Sequence, residues 1–150
     1  MMNLKFLDLA FDCAKEAEKL NEVPIGAVIV KDDIVIAKGY NKKESEKSVF
    51  SHAEINAIKE ASEKLNNWRL DNCDIYVTLD PCPMCASAIK QSRIKNVYSA
   101  CENSNSNNIK ILNSIFKNND INSSVNFVTN LNVEKSKKIL NNFFKEQRNK

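Results

Sequence analysis

The sequence predicts a single layered α/β domain. Three observations carry that expectation. Segments rich in β-branched residues alternate with segments of helical period along the whole chain. The length of 150 residues is that of one compact domain. No repeat, linker or compositional break divides it, so residues 1–150 are expected to form one unit.

The elements follow in order. In residues 4–20, Leu4, Leu7, Ala10, Phe11, Ala14 and Ala17 fall near helical spacing, which predicts an amphipathic helix. Residues 25–30 and 34–38 are β-rich, and the intervening "KDD" supplies a hairpin turn. A second helix is expected from Ser51 or His52 through Leu65. Residues 73–79, "CDIYVTL", are almost all apolar and predict a strand buried on both faces. Pro83 suits the first turn of a helix, where its missing N–H has no partner to lose, and that helix runs to about Gln91. Residues 94–100 predict a fourth strand, and 101–108, "CENSNSNN", a polar loop without period. Residues 109–116 predict a short helix and 125–129 a fifth strand. The chain closes with a helix at about 133–147, whose apolar side is Ile139, Leu140, Phe143 and Phe144.

Composition narrows the function classes. An apolar fraction of 43% is ordinary for a globular protein, and no segment approaches the ~18 apolar residues of a membrane span. The net charge is +3 and unevenly placed. Residues 135–150 hold six Lys or Arg against Glu146 alone, whereas residues 1–134 hold sixteen bases and eighteen acids. A basic last helix would attract phosphates, but cations at a helix C-terminus equally suit its dipole. The cysteines number five, Cys13, Cys73, Cys82, Cys85 and Cys101. An odd count with close spacing fits a reducing cytoplasm and metal or redox chemistry better than disulfides.

The chemistry lies in two short stretches, "SHAEINAIKEA" and "TLDPCPMCASAIK". His52 is the only histidine, and it stands thirty residues before Cys82 and two before Glu54. One imidazole and two thiolates make three ligands, the number a catalytic zinc keeps when its fourth position is left to water. Cys13, Cys73 or Cys101 would make a fourth ligand, although packing already explains each of them. Both ligand groups fall at expected helix N-termini, where the dipole favours thiolate over thiol. Glu54, on the first helical turn, is within reach of activated solvent without being a ligand, a position suited to proton transfer.

Joined in order, H-A-E…P-C-x-x-C resembles the signature of the zinc-dependent nucleoside and nucleobase deaminases. Within that superfamily the chain is most similar to the bacterial tRNA-specific adenosine deaminases. The likeness rests on "VPIGAVIV", "GYN", "HAEINAI", "NWRL", "YVTLDPCPMCASAI", "SRI" and the "FF" of the last helix, and so on most of the chain. The resemblance implies a three-layer α/β/α, cytidine-deaminase-like fold with a central mixed five-stranded sheet flanked by helices. It implies one zinc per subunit on His52, Cys82 and Cys85, with Glu54 as the catalytic proton carrier. It implies deamination of adenosine to inosine at the wobble position of tRNA in the cytoplasm, by a homodimer that contacts the anticodon stem-loop. Asn41, Val23, Pro24 and the main-chain N–H of Ala53 would contact the flipped nucleoside. Glu102, Phe143, Phe144, Lys145 and Arg148 would touch the RNA loop, with one of the two adjacent phenylalanines in the core and the other at the surface.

Two departures from the family pattern stand out. "SACENSNSNNIKIL" replaces a glycine-rich stretch, with Glu102 where an aspartate is typical. Asp80 replaces the more usual Glu before Pro81, which matters if that side chain makes a specific hydrogen bond. Two other functions compete: deamination of free guanine, cytosine or cytidine, and a non-catalytic structural zinc module that binds nucleic acid. The module would want a fourth protein ligand and would have no need of Glu54.

Overall fold

The computed structural model describes residues 1–105, 107–120, 122 and 124–150, so Ser106 of the expected polar loop lies outside the described residues. Its order is α1 (Leu4–Lys19), β1 (Gly26–Lys31), β2 (Ile34–Tyr40), α2 (Ala53–Leu65), β3 (Cys73–Val77), α3 (Pro83–Gln91), β4 (Asn96–Ser99), α4 (Asn108–Lys117), β5 (Asn126–Val128) and α5 (Val133–Arg148). One mixed sheet runs β2-β1-β3-β4-β5. Pairing is antiparallel from β2 through β3 and parallel from β3 through β5.

The alternation of side chains along the strands makes three layers. Ile29, Ile75 and Val97 are cross-strand neighbours and point to one face, where Ala53, Ala57, Ala61, Ala86, Ile89, Leu112 and Phe116 of α2, α3 and α4 cover them. Val28, Tyr76 and Tyr98 point to the other face, under Phe6, Leu7, Ala10 and Phe11 of α1 and Ile139 of α5. The parallel units β3-α3-β4 and β4-α4-β5 put both crossover helices on the same face, as successive same-handed crossovers must.

Local chemistry sets the element ends. The hairpin turn needs only two residues, because Asp32 and Asp33 both adopt positive φ (52° and 61°) and Lys31 still pairs with Ile34. Asn3 caps α1 by accepting the Lys5 N–H at 3.0 Å. At the other end Asn21 is left-handed (φ 59°), with Asn21 N–H donating to Glu18 O and Glu22 N–H to Ala17 O. That paired closure is a Schellman motif, and it turns the chain back toward the sheet at Glu22. β3 ends at Val77, two residues short of the expected 79: the Thr78 N–H still donates to Gly26 O, but the returning Gly26 N–H goes to Thr78 Oγ1 instead of Thr78 O, and the Asp80 N–H turns to Cys101 O. Asp74 is half-buried, so β3 is buried on both faces only from Ile75 onward.

The candidate metal and deaminase site

Two helix starts meet at the carboxyl end of β3, where the sheet changes from antiparallel to parallel pairing, the usual place for a site in an open α/β sheet. His52 is the N-cap residue of α2 and Cys82 that of α3, with Pro83 in the first turn. The His52 side chain makes no capping bond to α2, and the Cys82 sulfur faces Cys85 and His52. The His52 Nδ1 lies 3.6 Å from the Cys82 Sγ and 3.5 Å from the Cys85 Sγ. Bond lengths of 2.3 Å to sulfur and about 2.05 Å to nitrogen give a tetrahedral N···S edge of about 3.5 Å. The three donors therefore fit a zinc ion in both chemistry and spacing. They form the one His/Cys/Asp/Glu group of this kind among the described residues. Cys13 and Cys73 are buried in the packing of α1 and β3, while the Cys101 thiol donates to Glu102 O, so no third cysteine joins the group as a fourth ligand.

The electrostatics divide the ligands. The hydrogen bond from Cys85 pulls the Cys82 thiol down to about 4, while holding that proton beside the Cys82 sulfur pushes Cys85 up. The His52 imidazole is raised, chiefly by its contact with Cys82. A metal requires both thiols deprotonated and the imidazole neutral, so binding would release protons. Glu54 sits in the first turn of α2 with 4% exposure. Burial raises its carboxyl from 4.5 to about 7, where it can take up and give back a proton near neutral pH.

The loop that carries the cysteines is pinned on several sides. Thr78 O accepts the Ser136 hydroxyl of α5 at 2.6 Å, and Thr78 Oγ1 accepts the Gly26 N–H at 3.2 Å. Pro81 O accepts from the Asn108 amide at 3.2 Å. Asp80 makes the specific bond that its shortened side chain put in question: Thr129 Oγ1 donates to its Oδ1 at 2.5 Å. Sequence reasoning had no access to Ser136, Asn108 and Thr129, because nothing local marks a polar residue whose partner lies 27 to 58 positions away.

A cavity of about 710 Å³ opens over His52 and is lined by Val23, Asn41, Lys43, Phe143 and Gln147, together with Glu22, Glu44 and Ser45. Asn41 and Val23 are thus two of its walls. Pro24 does not line this cavity; it is buried, two residues before β1 begins. The Ala53 N–H, expected to face the base, donates to Asn41 Oδ1 at 2.9 Å, so its single hydrogen is already used. That bond orients Asn41 and turns its NH₂ away from Ala53.

A second cavity of about 970 Å³ lies across Val23, between the 101–104 loop and α5. Glu102, Lys137, Asn141 and Phe144 line it. Glu102 is fixed there by Asn130, which accepts its N–H at 3.0 Å and donates to its carboxylate. Phe143 is 6% exposed and Phe144 44%, so one ring belongs to the core and its neighbour to the surface. Lys145 and Arg148 are exposed on the last turns of α5 and line neither cavity, because their side of the helix faces away from the sheet.

Comparison with known proteins matches this arrangement. A family model described as MafB19-like deaminase covers residues 2–148. The tRNA-specific adenosine deaminase of Aquifex aeolicus (strain VF5) is 39% identical over 145 residues, spanning 96% of this chain and 95% of that protein. The chain belongs to the MafB19-like deaminases and, more narrowly, to the tRNA-specific adenosine deaminase family. The tRNA-specific adenosine deaminase of Agrobacterium fabrum is 37% identical over 143 residues, 95% of this deaminase and 94% of the relative. A solved structure from studies of A-to-I editing by tRNA:A34 deaminases at the wobble position has a TM-score of 0.85 at 36% identity, covering 92% of this deaminase and all of that chain. The Bacillus subtilis guanine deaminase structure has a TM-score of 0.67 at 30% identity, covering 100% and 96%. The fold of this deaminase is thus the cytidine-deaminase-like α/β architecture that the sequence predicted.

Proposed function

We propose that the chain hydrolytically deaminates adenosine to inosine at the wobble position of tRNA, using one zinc per subunit and recognising the anticodon stem-loop. One observation carries this reading: a three-donor group beside a buried carboxyl raised to about 7. Likeness to the named tRNA-specific adenosine deaminases supplies the substrate.

His52, Cys82 and Cys85 would hold the zinc, which when bound lowers the pKa of solvent so that water is a nucleophile at neutral pH. Glu54 takes a proton from the attacking water and delivers it to the ring nitrogen beside C6. It then takes the second proton and passes it to the amino group. The C6–O bond has formed, the C6–N bond breaks, and ammonia leaves with the carboxylate restored. Asn41, held by Ala53, presents its amide to the nucleoside, and Val23 packs against it. Ala53 thus acts through Asn41. Phe144 and Glu102, in the second cavity, would meet the neighbouring nucleotides, while Lys145 and Arg148 would meet phosphates further along the loop. A base in an RNA loop is already partly unstacked, which lowers the cost of extruding it.

The protein would act in the cytoplasm, as a homodimer. Val49 and Phe50, 59% and 65% exposed just before His52, are apolar surface that a second copy would cover. Among the described residues no helix is long and apolar enough to cross a membrane.

The guanine deaminase likeness favours a second reading, deamination of a free base. Incubation with an anticodon stem-loop bearing wobble adenosine, in parallel with free guanine, cytosine and cytidine, separates the two. Inosine in the RNA with the free compounds untouched supports the proposal; the reverse pattern overturns it.

A further inference from the structure

Glu22 attracts no attention as a sequence feature, standing two residues past the end of a charged helix. In the fold it is 2% exposed. Its Oε1 accepts the Glu44 N–H at 3.0 Å and its Oε2 the Ser45 N–H at 2.6 Å, and the Ser45 hydroxyl donates to the same oxygen. Three donors thus converge on one carboxylate, an arrangement that strongly favours the anion. These bonds outweigh the effect of burial and hold the Glu22 carboxyl below its usual range.

The segment so gripped is the connection from Asn41 to His52. It is otherwise bonded mainly within itself: Lys42 N–H to Ser51 O, Glu46 N–H to Lys42 O, Ser48 N–H to Lys43 O, and the Ser51 hydroxyl to Glu46. Such a loop keeps its own shape but needs an outside tether to fix where it sits. Glu22 provides one at its outer turn, and both partners of the tether, with Lys43, line the cavity over His52. The Schellman closure of α1 sets the carboxylate in place by main-chain bonds that do not depend on the loop.

We infer that Glu22 is a positioning residue for the reaction: its carboxylate holds the 43–45 turn as one wall of the nucleoside cavity and so sets how the base sits against His52. The inference rests on the deaminase reading above. Its effect falls on substrate binding and orientation, because the hydrogen bonds of Glu22 go to Glu44 and Ser45 and not to the metal group.

The test uses the zinc-loaded full chain with the wobble-adenosine stem-loop. Glu22→Gln keeps the shape but sets an NH₂ against donors, whereas Glu22→Asp keeps the anion. We expect Glu22→Gln to raise KM at least tenfold with zinc content unchanged, and Glu22→Asp to recover a substantial part of that loss. Amide hydrogen exchange at Glu44 and Ser45 should quicken in Glu22→Gln and not elsewhere in the site. This readout needs no activity, so it separates failure of the inference from failure of the proposed function. Wild-type KM in Glu22→Gln, unchanged exchange at those two amides, or equal loss of zinc and activity in both variants would each overturn the inference.

Discussion

Replacing Gly39 with alanine should damage activity more than stability. The residue sits late in β2, opposite Ala27, and its φ is unexceptional, so the glycine is there for space alone. A Cβ at this position would lie 2.2 Å from Ala53 O and 2.5 Å from Ala57 N, both main-chain atoms of α2. Ordinary contact begins near 3.4 Å, so α2 would have to recede by about 1 Å. Overpacking of that kind costs about 1–3 kcal/mol, toward the upper end when backbone is struck. For a domain of this size, that is a fall in Tm of about 5–10 °C. The same displacement carries His52 and Glu54 away from Cys82 and Cys85, and a shift of about 1 Å at a reacting site costs about a hundredfold in rate. Leu7→Ala is the control. It removes a buried side chain of α1 on the opposite face, at about 2–5 kcal/mol, without touching α2. Both variants would be assayed for inosine formation well below their Tm values, beside thermal melts and zinc analysis. An unchanged Tm for Gly39→Ala, or an activity loss no greater than that of Leu7→Ala, would refute the argument.

Other outcomes follow from the same geometry. Glu54→Gln should retain zinc and fold while turnover falls by at least about 10²–10⁴-fold, as measured by inosine release. In chelator-treated protein the Glu54 carboxyl titrates near 7 when folded, against 4.5 when unfolded. The folded state then holds the extra proton between those values, so this group lowers stability as pH rises through the interval. Denaturant titration should therefore find metal-free Glu54→Gln more stable than metal-free wild type by roughly 1–3 kcal/mol above pH 7, with the difference vanishing below pH 4.5. Phe143→Ala should cost about 3–5 kcal/mol in a chemical melt, while Phe144→Ala leaves stability nearly intact and weakens RNA binding in a titration. Ser136→Ala removes a 2.6 Å bond to Thr78 O and should lower stability by about 1–2 kcal/mol by the same measurement.

The His52, Cys82 and Cys85 group was legible in the chain because its members sit in two short motifs at helix starts. A helix N-cap points its side chain outward from the first turn, so His52 and Cys82 carry their direction with them. The helices and strands were legible for a similar reason: hydrophobic period is a property of neighbours, and every expected element is present with ends displaced by a few residues at most. Where the end of β3 moved, at Thr78, its side-chain oxygen had taken the Gly26 N–H and the Ser136 hydroxyl its carbonyl.

What the chain alone determined is therefore the ligand chemistry and the α/β layering, since both depend on residues close in sequence. What only the tertiary structure decided is the surroundings of that chemistry. Glu22 becomes a tether, Ser136 and Thr129 become props for the cysteine loop, and the Ala53 N–H passes to Asn41. Each depends on two groups brought together by packing of the sheet faces. The energy of such a bond belongs to the pair, and neither member records its partner in the local pattern.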